Sequence, residues 1–234
     1  MRPRLETLAA MALPLAWNNY LLPAMRLRVR GRTAANAVFG TAYALTFHGD
    51  PNWRSARSLR VGLATAAVVA AGYGVALLIP STRRHLAGLA DRGPEVPTAE
   101  WVAVHIPVGT VYTEELVYRA TLTPLLTEAH GRPGRWLGAA IFGLSHIQPA
   151  RAAGDPVPGT VLLTGLGGFL LDGLQNRTGS VTAPALLHFA VNGGGALTPR
   201  SARRHEKRIT RKAERLAELR RQRRAALRPN SSTP

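Results

Sequence analysis

The chain has 234 residues, 46% of them hydrophobic, a formal net charge of +17, and no cysteine, which excludes a disulfide framework, a thiolate metal site and a cysteine nucleophile. So basic a balance ordinarily points to nucleic acid, but residues 200 to 228 hold 13 of the 30 Lys and Arg against three acids, Glu206, Glu214 and Glu218, so 13 − 3 = +10 of the excess sits there. The mean hydropathy of −0.02 is therefore the average of an apolar body and a charged tail.

In chain order, the first apolar stretch is 7 to 25, which contains Asn18 and Asn19. Arg2 and Arg4 precede it as they would in a secretory signal, yet no small-residue cleavage site follows cleanly, so it reads as a retained first helix. A short stretch at 34 to 48 comes next. "RVGLATAAVVAAGYGVALLIP", 60 to 80, is uncharged after its first residue and long enough at about 1.5 Å per residue to cross roughly 30 Å of hydrocarbon. Stretches at 101 to 127, 136 to 147, 157 to 174 and 180 to 197 complete a set of about seven spans. The expected fold is an all-α polytopic transmembrane bundle with a basic cytoplasmic C-terminal helix. Its regions are 1–99, N-terminal transmembrane helices; 100–198, a core; and 199–234, a basic tail. "RLRVRGR", 26 to 32, and the tail both belong on the cytoplasmic side by the positive-inside rule, and an odd number of spans satisfies both. Arg54, Arg57 and Arg60 fall on the other side.

The stretch 101 to 127 contains "YTEELVYR", with Glu114, Glu115 and Arg119 inside an apolar helix. Charges at membrane depth cost at least about 2.5 to 3.5 kcal/mol each, so they face the bundle interior and carry function. Glu115 and Arg119 are four apart and share a helix face, whereas Glu114 is turned about 100° away and lacks that partner. "FGLSHIQP" places His146 at the end of another apolar helix, before Pro149 stops it. "LLHFAVNGGG" places His188 and Asn192 four apart on a third. Any one of these is usually a satisfied core group; inward-facing polar residues on three helices are the way a bundle builds a site.

Glu114-Glu115-x-x-x-Arg119, Phe142-x-x-x-His146 and His188-x-x-x-Asn192, in that order, resemble the three motifs of the CPBP family, the CAAX protease and bacteriocin-processing or ABI proteins. These are intramembrane proteases related to the CAAX prenyl endoprotease, and the resemblance covers about residues 100 to 197. It implies an endopeptidase whose catalytic set is Glu114, Glu115, His146, His188 and Asn192, acting on a protein or peptide substrate. Glu114 and His146 resemble the family's water-activating pair, with Glu114 as general base; His188 and Asn192 resemble its oxyanion-stabilising pair. Arg119 with Glu115 stands behind them, holding the first motif in register. The family is commonly called a metalloprotease, so Glu114, His146 and His188 are candidate ligands for a divalent metal such as zinc, with a metal-free mechanism equally compatible with the same side chains. An HExxH signature is missing. The rival readings are an inactive membrane scaffold of the same fold and a small ion-coupled transporter.

Four other features carry weaker signals. Gly165, Gly167 and Gly168 suit close helix packing. His105 has no evident partner, Asp172 is expected near a helix end at the interface, and Ser145 lacks the glycine pattern of a nucleophile elbow. The tail, with Ile209, Leu216, Leu219 and Leu227 loosely on one side, reads as a helix attracted to anionic lipid; without an aromatic platform or fold signature, no nucleic acid is expected.

Overall fold

The computed structural model describes residues 4–226; Arg2, Leu227, Arg228 and the closing PNSSTP lie outside the described residues. Among the described residues the protein is all-helical, with no strand. The helices are α1 (4–24), α2 (Val29–Thr46), α3 (Ala56–Leu78), α4 (Pro80–Gly88), α5 (98–130), α6 (Arg132–Leu144), α7 (Ile147–Ala153), α8 (Val157–Thr178) and α9 (Thr182–Ala226).

Local chemistry sets the breaks. Ser55 caps α3 by accepting from the Ser58 amide at 3.1 Å. Ile79, preceding Pro80, is extended at φ −83°, ψ 114°, because a residue before proline is driven out of the helical region, and so α3 stops there. Gly131, Gly154 and Gly179 end α5, α7 and α8 with φ of 65°, 73° and 66°, a region other residues enter only with strain.

Among the described residues, α3 and α8 are the two helices long and apolar enough to cross a membrane. Only 6% of the most apolar stretch of α3 and 17% of that of α8 is buried, so neither is the core helix of a water-soluble domain. Val68, Leu78, Leu163 and Leu170 instead point outward. The core lies where α1, α2, α5 and α6 meet, around Tyr43, Phe47, Val117, Tyr118, Leu122, Leu126, Ile141 and Phe142.

Two ends of the bundle can be told apart by their contacts. At one, Arg30 pairs with Glu100 at 2.7 Å, Arg92 with Asp155 at 2.8 Å, Arg83 with Glu206 at 2.6 Å, and Arg203 with Asp91. The Arg30 hydrogen bond, followed by that of His105, holds the Glu100 carboxyl down to about 2 from its ordinary 4.5. At the other end, Asp50 donates its amide to the Ala120 carbonyl, Asn52 donates to the Gly179 carbonyl, and Thr182 donates to the Trp53 carbonyl.

Four expectations need correction. The tail is not a separate helix: α9 runs unbroken for 45 residues through Pro199. Near the proline, the Arg200 and Ser201 side chains donate to the Ala196 and Leu197 carbonyls of the same helix. Pro149 does not stop the His146 helix; α6 ends at Leu144, and Pro149 sits in the first turn of α7, where its missing N–H has no intrahelical acceptor to lose. His105 has partners, Thr33 Oγ1 at 2.8 Å and Glu100 Oε1 at 3.1 Å. Asp172 is buried rather than interfacial.

Candidate active site

α5 carries the first motif, and it is wound unusually. Residues Trp101–Tyr112 and Glu115–Leu122 are π-helical, with Glu114 between them. Thr113 and Thr121 follow the wider winding with side-chain hydrogen bonds to carbonyls five residues back, Val108 and Leu116, at 3.2 and 2.7 Å. Such segments favour functional sites, because they re-aim side chains that an α-helix would hold in register. Gly40 of α2 and Gly109 of α5 let these helices approach: a Cβ on either would stand 3.0 Å from Thr113 Cα or 2.9 Å from Thr33 Oγ1.

The two glutamates converge on one imidazole. His188, from the second turn of α9, presents Nδ1 to Glu115 Oε1 at 2.8 Å and Nε2 to Glu114 Oε2 at 3.6 Å. Thus Glu114 has a partner after all, from another helix. The Glu115 side chain is fully buried and that of Glu114 is 16% exposed, so of the pair it is Glu114 that borders accessible space.

Arg119 lies behind Glu115, as its spacing predicts, with Nε 3.8 Å from Glu115 Oε2. Asp172 of α8 approaches the same Nε at 3.6 Å. The guanidinium carbon stacks 4.2 Å from the Phe142 ring centre, a cation–π contact worth roughly 2 kcal/mol when desolvated. Gly168 makes room here: a Cβ would meet Phe142 Cδ1 at 2.6 Å and stand 3.4 Å from the guanidinium. Gly165 packs on Ala139 and Gly143 as expected, whereas Gly167 faces open space.

His146 stands at the turn after α6. Its Nδ1 is 2.8 Å from the Phe142 carbonyl, and its ring meets Phe142 edge-on at 4.8 Å. It forms no ion pair or hydrogen bond with Glu114 among the described residues, and Phe142 joins the second motif to Arg119. Ser145 is buried; its hydroxyl donates to the Phe142 carbonyl at 2.8 Å and lies 3.3 Å from His146 Nδ1. Asn192 is half-buried and donates from Nδ2 to the His188 carbonyl at 3.2 Å, which leaves its second amide hydrogen.

As placed, Glu114, His146 and His188 do not make a three-ligand set, and no such group of His, Cys, Asp or Glu occurs among the described residues. The donors therefore do not fit a bound metal in this arrangement.

Two residues that motif spacing does not single out help build the site. Asp172 is a lone acid in an apolar helix, and its only sequence signal is its cost at that depth. Asn19 accepts from the Gln148 amide at 2.9 Å and donates to the Leu144 carbonyl at 3.1 Å, clasping the turn that carries His146. An asparagine in an apolar stretch was the available signal.

Residues 97–194 match the family model described as type II CAAX prenyl endopeptidase Rce1-like, a span that holds all three motifs. No curated protein and no solved structure matches the chain. The expected resemblance to a CAAX endopeptidase family is thereby shown over residues 97–194, and the family is one of membrane proteases.

Proposed function

From a segment of the CAAX endopeptidase-like family, we propose that the protein hydrolyses peptide bonds within or beside the membrane, with Glu114 as the general base. Water donates a proton to Glu114 as its oxygen bonds to the scissile carbonyl carbon. The negative charge on the tetrahedral oxyanion is met by His188 and Asn192; the C–N bond then breaks, and Glu114 returns the proton to the leaving amine. His146, at the turn after α6, is assigned to orient the water. Because Glu115 accepts at His188 Nδ1, Nε2 donates to an oxyanion only when both ring nitrogens carry a proton.

The observation that carries this reading is the buried Glu114 Oε2, which faces His188 Nε2 at 3.6 Å and makes no hydrogen bond to protein among the described residues. A carboxylate oxygen so placed is free to take a proton from water. The substrate class follows the family: peptides ending in a prenylated CAAX sequence are the first to test. Purified protein in liposomes should cleave an internally quenched peptide of this kind, and Glu114→Gln should not. Equal cleavage by both proteins would refute the assignment.

The same proposal places 100–198 as the catalytic region of a seven-span bundle, with a cytoplasmic basic tail drawn to anionic lipid. It is supported by the contacts at the two ends: α1, α2, α3, α5, α6, α8 and α9 run alternately between them, and Arg28, Arg30, Arg83, Arg92 and Arg203 gather at one. Because the chain has no cysteine, Ala217→Cys provides a unique label. A membrane-impermeant reagent should reach it only in opened cells, and labelling of intact cells would reverse the orientation.

A further inference from the structure

We propose that Asp172 is a positioning residue for the site: by sharing Arg119 with Glu115, it keeps Glu115 turned toward His188. The proposal rests on the reading of Glu114, Glu115 and His188 as the catalytic centre.

Three carboxylates and one guanidinium meet beside His188. Arg119 lies between Asp172 and Glu115, at 3.6 and 3.8 Å, close to equidistant and with none of its nitrogens hydrogen-bonded to protein among the described residues. Glu115 divides its oxygens: Oε2 faces Arg119 and Oε1 holds His188 Nδ1 at 2.8 Å. Arg119, Glu115 and Asp172 are at most 2% exposed, so the pairs are not screened by solvent. In such surroundings a guanidinium favours a bidentate fork on a single carboxylate. If Asp172 lost its charge, Glu115 would be the one remaining anion in reach of Arg119. Both its oxygens would then turn to the fork, and His188 would lose its Nδ1 partner. The other charged groups nearby do not replace it: Glu114 lies on the Nε2 side, and Arg135, adjacent to Asp172, is a further cation.

Removing Arg119 as well should restore the His188 contact, because nothing then competes for Glu115. A residue that merely stabilises the fold would not behave in this way. The test is heteronuclear NMR of histidine-labelled full-length protein in detergent at one fixed pH, following the His188 Nδ1–H signal, identified by its loss in His188→Gln. Asp172→Asn should shift or broaden that signal, Asp172→Glu should retain it, and Arg119→Gln/Asp172→Asn should return it toward its original position. With the quenched CAAX-type peptide, Asp172→Asn should lower kcat on the order of 10- to 100-fold with KM within about twofold, as expected for misplaced catalytic groups. If Asp172→Asn does not fold, the double variant decides alone: a native-like signal supports the proposal and a displaced one refutes it. An unchanged signal in Asp172→Asn, or no recovery in the double variant, also refutes it. The NMR signal needs no turnover, so a protein that cleaved nothing would overturn the protease reading while the effect of Asp172 on the Glu115–His188 contact would still be read from the signal.

Discussion

Arg83 donates from Nε to Glu206 Oε1 at 2.6 Å, tying α4 to a part of α9 that follows the last apolar stretch, 180 to 197. The Arg83 side chain is only 11% exposed, and it also donates to the Leu77 carbonyl at 3.2 Å. Glu206 is therefore part of the folded body, although the sequence groups it with the tail. Deletion of everything after Pro199 should lower stability by about 1.5 to 3 kcal/mol, the worth of a hydrogen bond to a charged group. Truncation after Thr210 should leave it nearly unchanged. Thermal melts of both in detergent check this, and equal melting temperatures would exclude the role given to the pair.

Glu114 and Arg119 should separate activity from stability. Glu114→Gln should abolish cleavage of any identified substrate with a melting temperature near that of the unmodified protein, since Glu114 Oε2 makes no hydrogen bond to protein among the described residues. Arg119→Ala should reduce folded yield, because it leaves Glu115 and Asp172 as buried like charges, a loss of about 3 to 5 kcal/mol. Cleavage assays and melts on the same preparations distinguish the two; a well-folded Arg119→Ala protein would contradict the ion-pair account.

Two glycines should respond in opposite directions. A Cβ on Gly62 would stand 2.8 Å from Leu186 Cδ1 and 2.9 Å from Ala183 Cα, where α3 crosses α9. Gly62→Ala should therefore cost about 1 to 3 kcal/mol through overpacking. A Cβ on Gly74 meets nothing within 4 Å, so Gly74→Ala should gain roughly 0.5 to 1 kcal/mol from reduced backbone freedom. The ordering of the two melting temperatures is the readout.

The Glu100 cluster predicts a pH window. Its carboxyl, held down to about 2 by Arg30 and then His105, contributes stability that is complete above the ordinary 4.5 and disappears as pH falls through 2. The gap in melting temperature between the unmodified protein and Glu100→Gln should be constant above pH 4.5 and close steadily below it. A gap independent of pH across that range would show that the Arg30 and His105 contacts do not stabilise the charged form.

Spacing alone disclosed much of the site. Glu115 and Arg119 pair as their four-residue separation requires, His188 does face the first motif, and the span at 60 to 80 is a long helix with an outward-facing apolar surface. What spacing concealed has physical causes. The π-winding of α5 leaves no periodic signature, since that stretch is apolar on nearly every side. Asp172 and Asn19 act across helix contacts that only the packed bundle creates. The separation of the apolar stretch ending near 197 from the basic tail followed a change in composition, and composition does not end a helix: α9 continues through Pro199 into the tail.

The continuity of α9 makes it a rigid outrigger. Its 45 residues extend about 67 Å at 1.5 Å each, whereas the hydrocarbon layer is about 30 Å thick. If the axis stands upright, a headgroup field fading within about 8 Å reaches Arg200, Arg203 and Arg204, while Arg220, Arg221, Arg223 and Arg224 are held far out in water. Vesicle affinity should then depend on the inner arginines: truncation after Arg211 should retain most of the salt-sensitive binding to anionic bilayers, measured by co-sedimentation. The outer cluster, set at a fixed stand-off, is left to meet whatever acidic surface approaches the membrane from solution.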